Sequence, residues 1–321
     1  MKKVLILRRN PVSANDGTAN YCIALHELYA NDANIRVLDI KNYPTRHSFL
    51  FKYYYKYRPL KREIVDADII HINGYTAMGT VQAMYWARQA RKRVVYTAHW
   101  HPFENLSHPI LGKIFFDTFV RRAIKKCVDI IVTINNEDFH FFSYTYPNTV
   151  RIPHWYKPKA ISTDVARKSN MLLFIGRVDD KVKGIEHLYA LQEGEFDIHC
   201  VGNGLLIERS DMTQHKNIPD SELIRLYAQA ALVVIPSKYE AFSYVALEAL
   251  SYGTPVVMSD RVRIADYLDD MKGYSVFHYS DMNDFYEKIT NTIGTTVDKD
   301  RVNKIFSSIN IKQCYDKVYT P

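Results

Sequence analysis

Apolar and polar positions along the chain fall into two recurring patterns. Short apolar runs, KVLILR, IRVLDI, ADIIHIN, RVVYTAH and DIIVTI, recur through the first half. Each is brief and rich in β-branched residues, as buried parallel strands are. Between them lie stretches with helical periodicity, such as TANYCIALHELYAN and AMGTVQAMYWARQAR. That alternation predicts βα units on a parallel sheet.

The stretch YPNTVRIPHWYKPKAIST interrupts the rhythm with three prolines and many polar residues. It reads as a crossing between domains. Strand and helix patterns then resume: NMLLFIGRV, GIEHLYALQ, FDIHCVGNG, SELIRLYAQA, ALVVIPS, SYVALEALSYG and TPVVMSD. The expected fold class is α/β, with two doubly wound, Rossmann-like domains facing a central cleft. Ligands of such sheets bind beyond the carboxyl ends of the strands. A length of 321 residues suits two domains of about 150.

Charge changes this picture, because it is unevenly placed. Residues 1–165 carry a net +11 and residues 166–321 a net −4. The two halves are therefore expected to meet different partners. The four cysteines are dispersed with no C-x-x-C spacing, which points away from zinc and from a disulfide framework. A reducing, cytoplasmic compartment fits that usage. The apolar run of MKKVLILRRN is too short for a secretory signal and reads as a first strand. No run reaches the ~18 apolar residues of a membrane span.

Chemistry concentrates in KYEAFSYVALEALSYGTPVV, residues 238–257, where Glu240 and Glu248 sit among apolar neighbours. Pro236 and Ser237 stop the preceding strand, and a helix is expected to start near Ser243 as its N-cap. Helix N-termini attract phosphate, and carboxylates accept hydrogen bonds from vicinal hydroxyls. One glutamate on each side of a diphosphate could hold sugar hydroxyls; a surface Glu240 and a salt-bridged Glu248 is the plainer alternative. Arg177 and Lys183, in FIGRVDDKVKG, follow a strand end and precede a helix. They suit a leaving group of growing negative charge, or are two solvated bases. Gly202 and Gly204, in CVGNG, mark a place where backbone approaches a ligand or turns tightly.

Taken together, Gly-Arg…Lys-Gly, Val-Gly-x-Gly and Pro-Ser-x-x-Glu-x7-Glu with Gly-Thr-Pro-Val-Val resemble family 4 retaining glycosyltransferases of the GT-B fold. The first half is compatible through Asp16-Gly17, IIHING and VVYTAHWHPFE. The end, FSSINIKQCYDKVY, is similar to the helix that returns to the first domain. The resemblance implies an acceptor domain over 1–157 plus the returning helix 303–321, and a donor domain over 158–302. It implies a nucleotide-sugar co-substrate, a glycan or lipid-linked acceptor, and no metal or other cofactor. Arg177 and Lys183 would neutralise the donor diphosphate, and Glu248 would bind the ribose. Glu240, with the amides of Ala241, Phe242 and Ser243, would hold the donor sugar. His99 would contact that sugar, Gly17 would let backbone approach phosphate and acceptor, and Ile218 would flank the base. The chain has Glu-Ala-Phe-Ser where the family often has Glu-Gly-Phe-Gly, which adds side chains beside the sugar.

Other signals are weaker. Asp66-Ala67-Asp68 forms a D-x-D, but it precedes its strand, at the wrong end of the sheet for a ligand. His99-Trp100-His101 has no evident third metal ligand. Two basic, aromatic stretches, residues 47–62 and 110–126, read as packed helices with solvated basic faces or as a surface for anionic lipid. No nucleic-acid-binding motif accompanies them. A sugar-nucleotide epimerase, a non-catalytic sugar-binding protein and a nicotinamide-dependent Rossmann enzyme are the alternatives. Asp39 is placed for a ribose in the last of these, yet no G-x-G-x-x-G is present.

Overall fold

The computed structural model describes residues 1–8, 17–38, 45–48, 52–55, 57–74, 78–99, 109–159 and 165–320. Asp16, Asp39, Lys56, Trp100 and His101 lie outside the described residues. The chain divides into two units: Met1–His154 with Ile311–Pro321, and Trp155–Asn310. The sequence reading places these boundaries at 157 and 303.

Unit 1 holds a six-stranded parallel sheet of β1 (Lys2–Arg8), β2 (Ile35–Val37), β5 (Ile69–Asn73), β6 (Arg93–Thr97), β7 (Ile130–Thr133) and β8 (Thr149–Arg151). Its order is β2-β1-β5-β6-β7-β8. An antiparallel ribbon, β3 (Thr45–Ser48) with β4 (Lys52–Tyr55), stands apart from it. That ribbon, followed by the helix Tyr57–Asp66, replaces the single packed helix expected over 47–62. The run of three tyrosines, Tyr53 to Tyr55, suits a strand better than a helix. β8 also lies inside the stretch read as a crossing. Three residues between two prolines suffice for an edge strand, where a missing amide costs no ladder bond.

β5 shows why the apolar runs became central strands. All five of its residues are buried, and it pairs with β1 from Val4 to Arg8 and with β6 from Arg93 to Thr97. The last helix, Ser308–Tyr319, belongs to unit 1 through its inner face. Tyr315 and Tyr319 are fully buried there; the Tyr315 hydroxyl meets that of Tyr21 at 2.5 Å and the Tyr319 hydroxyl meets His71 Nδ1 at 2.7 Å.

Unit 2 repeats the architecture with β9 (Met171–Ile175), β10 (Asp197–Val201), β11 (Met212–His215), β12 (Leu232–Ile235), β13 (Val256–Ser259) and β14 (Tyr274–Phe277). The order is β11-β10-β9-β12-β13-β14, parallel throughout. The helical stretch expected over GIEHLYALQ is only one turn, Glu186–Tyr189. The helix over SYVALEALSYG forms as Tyr244–Ser251, with Ser243 as its N-cap accepting from the Ala246 amide at 3.3 Å.

Candidate active site

In unit 2 the chain builds outward from β9 through β10 to β11, then crosses to β12 on the other side of β9. The carboxyl ends of β9 and β12 therefore form the topological switch point, where doubly wound sheets leave a crevice. Loops after these two strands carry Arg177, Lys183 and Glu240. Gly184 fits them together. Its φ is +71°, and a Cβ there would lie 1.7 Å from the Pro236 carbonyl oxygen. The Lys238 amide also donates to Val182 O at 2.8 Å. The two loops thus touch backbone to backbone.

That contact pairs two residues 57 positions apart. Lys183 Nζ donates to Glu240 Oε1 at 2.8 Å, with the side chains 32% and 12% exposed. Ser237 Oγ donates to the same oxygen at 2.8 Å. The Glu240 backbone is fixed against β13's exit: its amide donates to Arg261 O, and its carbonyl accepts from the Arg263 amide, both at 3.0 Å. The Glu240 carboxylate pushes the Lys183 ammonium further above its usual range, so the lysine is charged at any physiological pH. Glu240 is thus neither a surface residue nor an isolated buried charge.

Arg177 is mostly exposed, at 71%, and pairs with Asp180 three residues on. Burial pushes the Asp180 carboxyl up. The Val182 amide at 3.0 Å and the cations Arg177 and Lys183 outweigh burial and hold it below the usual range. The cluster is therefore two cations and two carboxylates, close to neutral in sum.

Glu248 lies inside the helix and away from that cluster's hydrogen bonds. Its Oε2 accepts from the Tyr227 hydroxyl at 2.7 Å. Burial raises its carboxyl above the ordinary value of 4.5, and the tyrosine's hydrogen bond only partly offsets this. A carboxyl raised by folding is favoured protonated, so its ionised form weakens the folded state. The penalty is absent below the unfolded value of 4.5 and complete above the folded value. Glu248→Gln keeps an acceptor for Tyr227 and removes the charge. It should melt at a higher temperature than the parent at neutral pH, with the gap closing on acidification towards pH 4.5. Calorimetric melts across that range check this; a less stable Gln variant at neutral pH would reject it.

The glycines of CVGNG serve the chain itself. A Cβ at Gly202 would lie 2.0 Å from the Gly176 carbonyl oxygen, and one at Gly204 would meet the Asp179 side chain at 2.7 Å. Close backbone approach is the requirement, and the approaching group is the β9 loop. Phe242 also has a packing role, edge-on to Phe306 and Tyr267 at 5.9 and 6.3 Å. Ala241 is half-buried beside it. Ile218 packs against the apolar core of unit 2, after Asn217 in a left-handed conformation with φ of 52°.

In unit 1 the switch point lies between β1 and β5. Gly17 opens the helix Gly17–Leu28, and an added Cβ there would meet nothing within 4 Å. His99 is buried, only 7% exposed, left-handed at φ 48°, and follows β6. Its Nε2 lies 2.8 Å from Asn73 Oδ1, while Asn73 Nδ2 donates to Leu7 O at 3.2 Å. That orientation of the amide puts the His99 proton on Nε2 and leaves Nδ1 an acceptor. Burial, with His154, His71 and Arg8 nearby, drives the ring well below its usual pKa, so it is neutral. His154 stacks on it at 5.9 Å, and Tyr21 sits edge-on at 4.6 Å. Among the described residues no His, Cys, Asp and Glu group is arranged to hold a metal.

Sequence reasoning missed Ser237, Asp180, Tyr227 and Asn73, the partners of Glu240, Arg177, Glu248 and His99. Ser237 and Asn73 stand directly after or at a strand's carboxyl end, which was the available signal. Tyr227, on a separate helix, gave none.

Comparison with known proteins bears on the fold and the class of enzyme. Residues 169–294 match the family model described as glycosyl transferases group 1. A 41.2 kDa protein from the cps region of Klebsiella pneumoniae is 22% identical over 68% of each chain. A glycosyltransferase of Methanocaldococcus jannaschii is 36% identical, over 30% of this chain and 29% of the relative. The Anabaena protein HepE, solved with UDP and glucose, superposes with a TM-score of 0.72 over 99% of both chains at 14% identity. The fold is the two-sheet GT-B architecture, and unit 2 is a group 1 glycosyltransferase domain. The chain is accordingly an enzyme of the glycosyltransferase class.

Proposed function

We propose that the chain is a retaining glycosyltransferase of family 4 type. It takes a hexosyl unit from a UDP- or GDP-linked sugar and passes it to a glycan or lipid-linked acceptor, in surface polysaccharide or glycoconjugate synthesis. The carrying observation is the Lys183–Glu240 pair, held at the switch point beside the N-terminus of Tyr244–Ser251. The UDP and glucose bound by HepE and the cps-region relative support the reading.

In the mechanism the acceptor hydroxyl attacks the anomeric carbon on the face that the nucleotide leaves. A new C–O bond forms as the sugar–phosphate bond breaks. The electron pair stays on the departing phosphate oxygen, and a phosphate oxygen takes the acceptor's proton. Lys183 and Arg177 stabilise the growing charge, so the reading calls for no metal and no enzymic nucleophile. Glu240 exchanges its lysine for sugar hydroxyls, and Glu248 takes the ribose. Neutral His99 offers Nδ1 as an acceptor for a sugar hydroxyl.

The two glutamates separate experimentally. Glu248→Ala should weaken binding of the free nucleoside diphosphate by roughly tenfold, in line with the loss of a charge-assisted hydrogen bond. Glu240→Ala should leave that binding nearly intact and cut transfer. Calorimetry with UDP and GDP, beside a transfer assay, decides; the reverse order rejects the assignment.

The acceptor in this reading is borne on an anionic bilayer, which the basic unit 1 would approach. Ile110 and Ile114 are exposed on the helix Pro109–Phe115, near exposed Arg122, Lys125 and Lys126. Arg121 is not part of that surface. It pairs with Asp117 at 2.8 Å and lies over the rings of Phe116 and Phe141. Lys52 lies on the ribbon and Lys56 outside the described residues. No helix among the described residues is long and apolar enough to cross a membrane.

A further inference from the structure

At the opposite end of the unit 1 sheet, where β6, β7 and β8 begin, lies an open depression of about 760 Å³. Arg88, Arg91, Lys92 and Arg93 line it, with Asp129 as the sole carboxylate of the lining. Strand polarity places it ~16 Å, the length of a five-residue strand, from the ends that carry Asn73 and His99.

The four cations exceed what local structure asks for. Arg88 sits in the last turn of the helix Met78–Gln89 and the other three follow it, where the C-terminal dipole favours some positive charge; Lys92 Nζ also donates to Val65 O at 2.8 Å. The counter-charge within reach is already committed. Asp129 Oδ2 accepts from the Val94 amide at 2.8 Å, and its Oδ1 lies 3.6 Å from Arg88 Nη1. The neighbouring Asp66 is paired with Lys3 at 2.5 Å. Arg93 Nε is buried without a hydrogen-bond acceptor among the described residues. Arg91 is left-handed at φ 55°, where a helix end ordinarily has glycine. An arginine there accepts backbone strain in exchange for a guanidinium. Strain at Arg91 and the unsatisfied donor of Arg93 both weaken the fold, so stability does not explain these two arginines.

We propose that this depression is a second ligand site that binds a phosphate group, independently of the catalytic reading of the sheets' carboxyl ends. Guanidinium forks match phosphate oxygens in bidentate geometry, and a phosphate anion would relieve the repulsion among the four cations. A soluble phosphomonoester and a phospholipid headgroup both present this chemistry.

Glycerol 3-phosphate in calorimetry, and flotation with phosphatidylglycerol against phosphatidylcholine vesicles, separate the two sources. Both use the full chain at low salt. The variants are Arg91→Gly, which relieves the backbone strain, and Arg88→Gln, at an exposed position. Each should weaken binding at least fivefold, and Arg91→Gly should melt no lower than the parent. A control, Lys299→Ala with Lys304→Ala, removes two exposed charges from unit 2 and should leave binding unchanged. Saturable glycerol 3-phosphate binding lost in the variants identifies a soluble ligand. Flotation alone, lost in the variants, identifies a headgroup. The proposal is overturned if neither probe binds, if binding survives both variants, or if the control loses as much.

Discussion

Lys183→Ala is expected to lower turnover by about 10²–10³, roughly 3–4 kcal/mol of transition-state stabilisation, while the protein stays folded. The magnitude is that of one preorganised charge facing an oxyanion. The lysine is well placed for it: its ammonium is anchored by Glu240, and a Cβ on Gly176 would lie 3.3 Å from its Cγ. The stem therefore runs against the β9 loop and cannot wander. Removing it strips Glu240 of its cation, but Ser237 still donates to the carboxylate at 2.8 Å. The stability loss should stay near 1–2 kcal/mol. Lys183→Met keeps the stem and removes only the charge, so it should lose as much turnover with a smaller fall in melting temperature. Steady-state rates and thermal melts on both variants check this. Turnover near normal in either would remove Lys183 from the mechanism.

Gly184→Ala should destabilise unit 2 by about 3–5 kcal/mol, among the largest effects of one added methyl group. Two costs combine. The φ of +71° is a region an L side chain enters only with strain, worth ~1–2 kcal/mol. The new Cβ would also sit 1.7 Å from the Pro236 carbonyl oxygen, a backbone atom that cannot rotate away. Gly194→Ala isolates the first cost. Its φ is +85°, yet an added Cβ meets nothing within 4 Å. It should lose only about 1–2 kcal/mol. Denaturant melts of the two variants compare the terms directly. Equal losses would mean that the loop carrying Pro236 yields, and that the two loops are not locked together.

Much of this architecture was readable in the sequence because the central strands bury both faces. KVLILR, ADIIHIN and ALVVIPS admit few other structures. The edge strands of unit 2 were not readable: MTQH at β11 has one buried residue, and YSVF at β14 has only Phe277 fully buried. Their place comes from hydrogen bonds to β10 and β13, a tertiary fact. The same distinction runs through the site. Residue types at strand ends pointed to Arg177, Lys183, Glu240 and Glu248. That Lys183 would reach Glu240 across 57 residues depended on Gly184 lying against Pro236. A sequence shows the glycine but not the carbonyl it faces. Phe242 looked like part of a ligand loop, and its ring went to the core because Tyr267 and Phe306 were waiting there.

In the proposed reading the Lys183–Glu240 pair also governs which ligands the site ignores. Its charges cancel each other, so a passing phosphate meets a cation already occupied. Drawing Lys183 away would leave a carboxylate beside the new anion, and the repulsion would cancel most of the gain. A free sugar fares no better, since its hydroxyls would compete with an ammonium for the same oxygen. Only a molecule that brings phosphate and hydroxyls together satisfies both partners at once. In that reading the pair thus turns away inorganic phosphate and free sugar, while a nucleoside diphosphate still gains a hold through the ribose contact at Glu248.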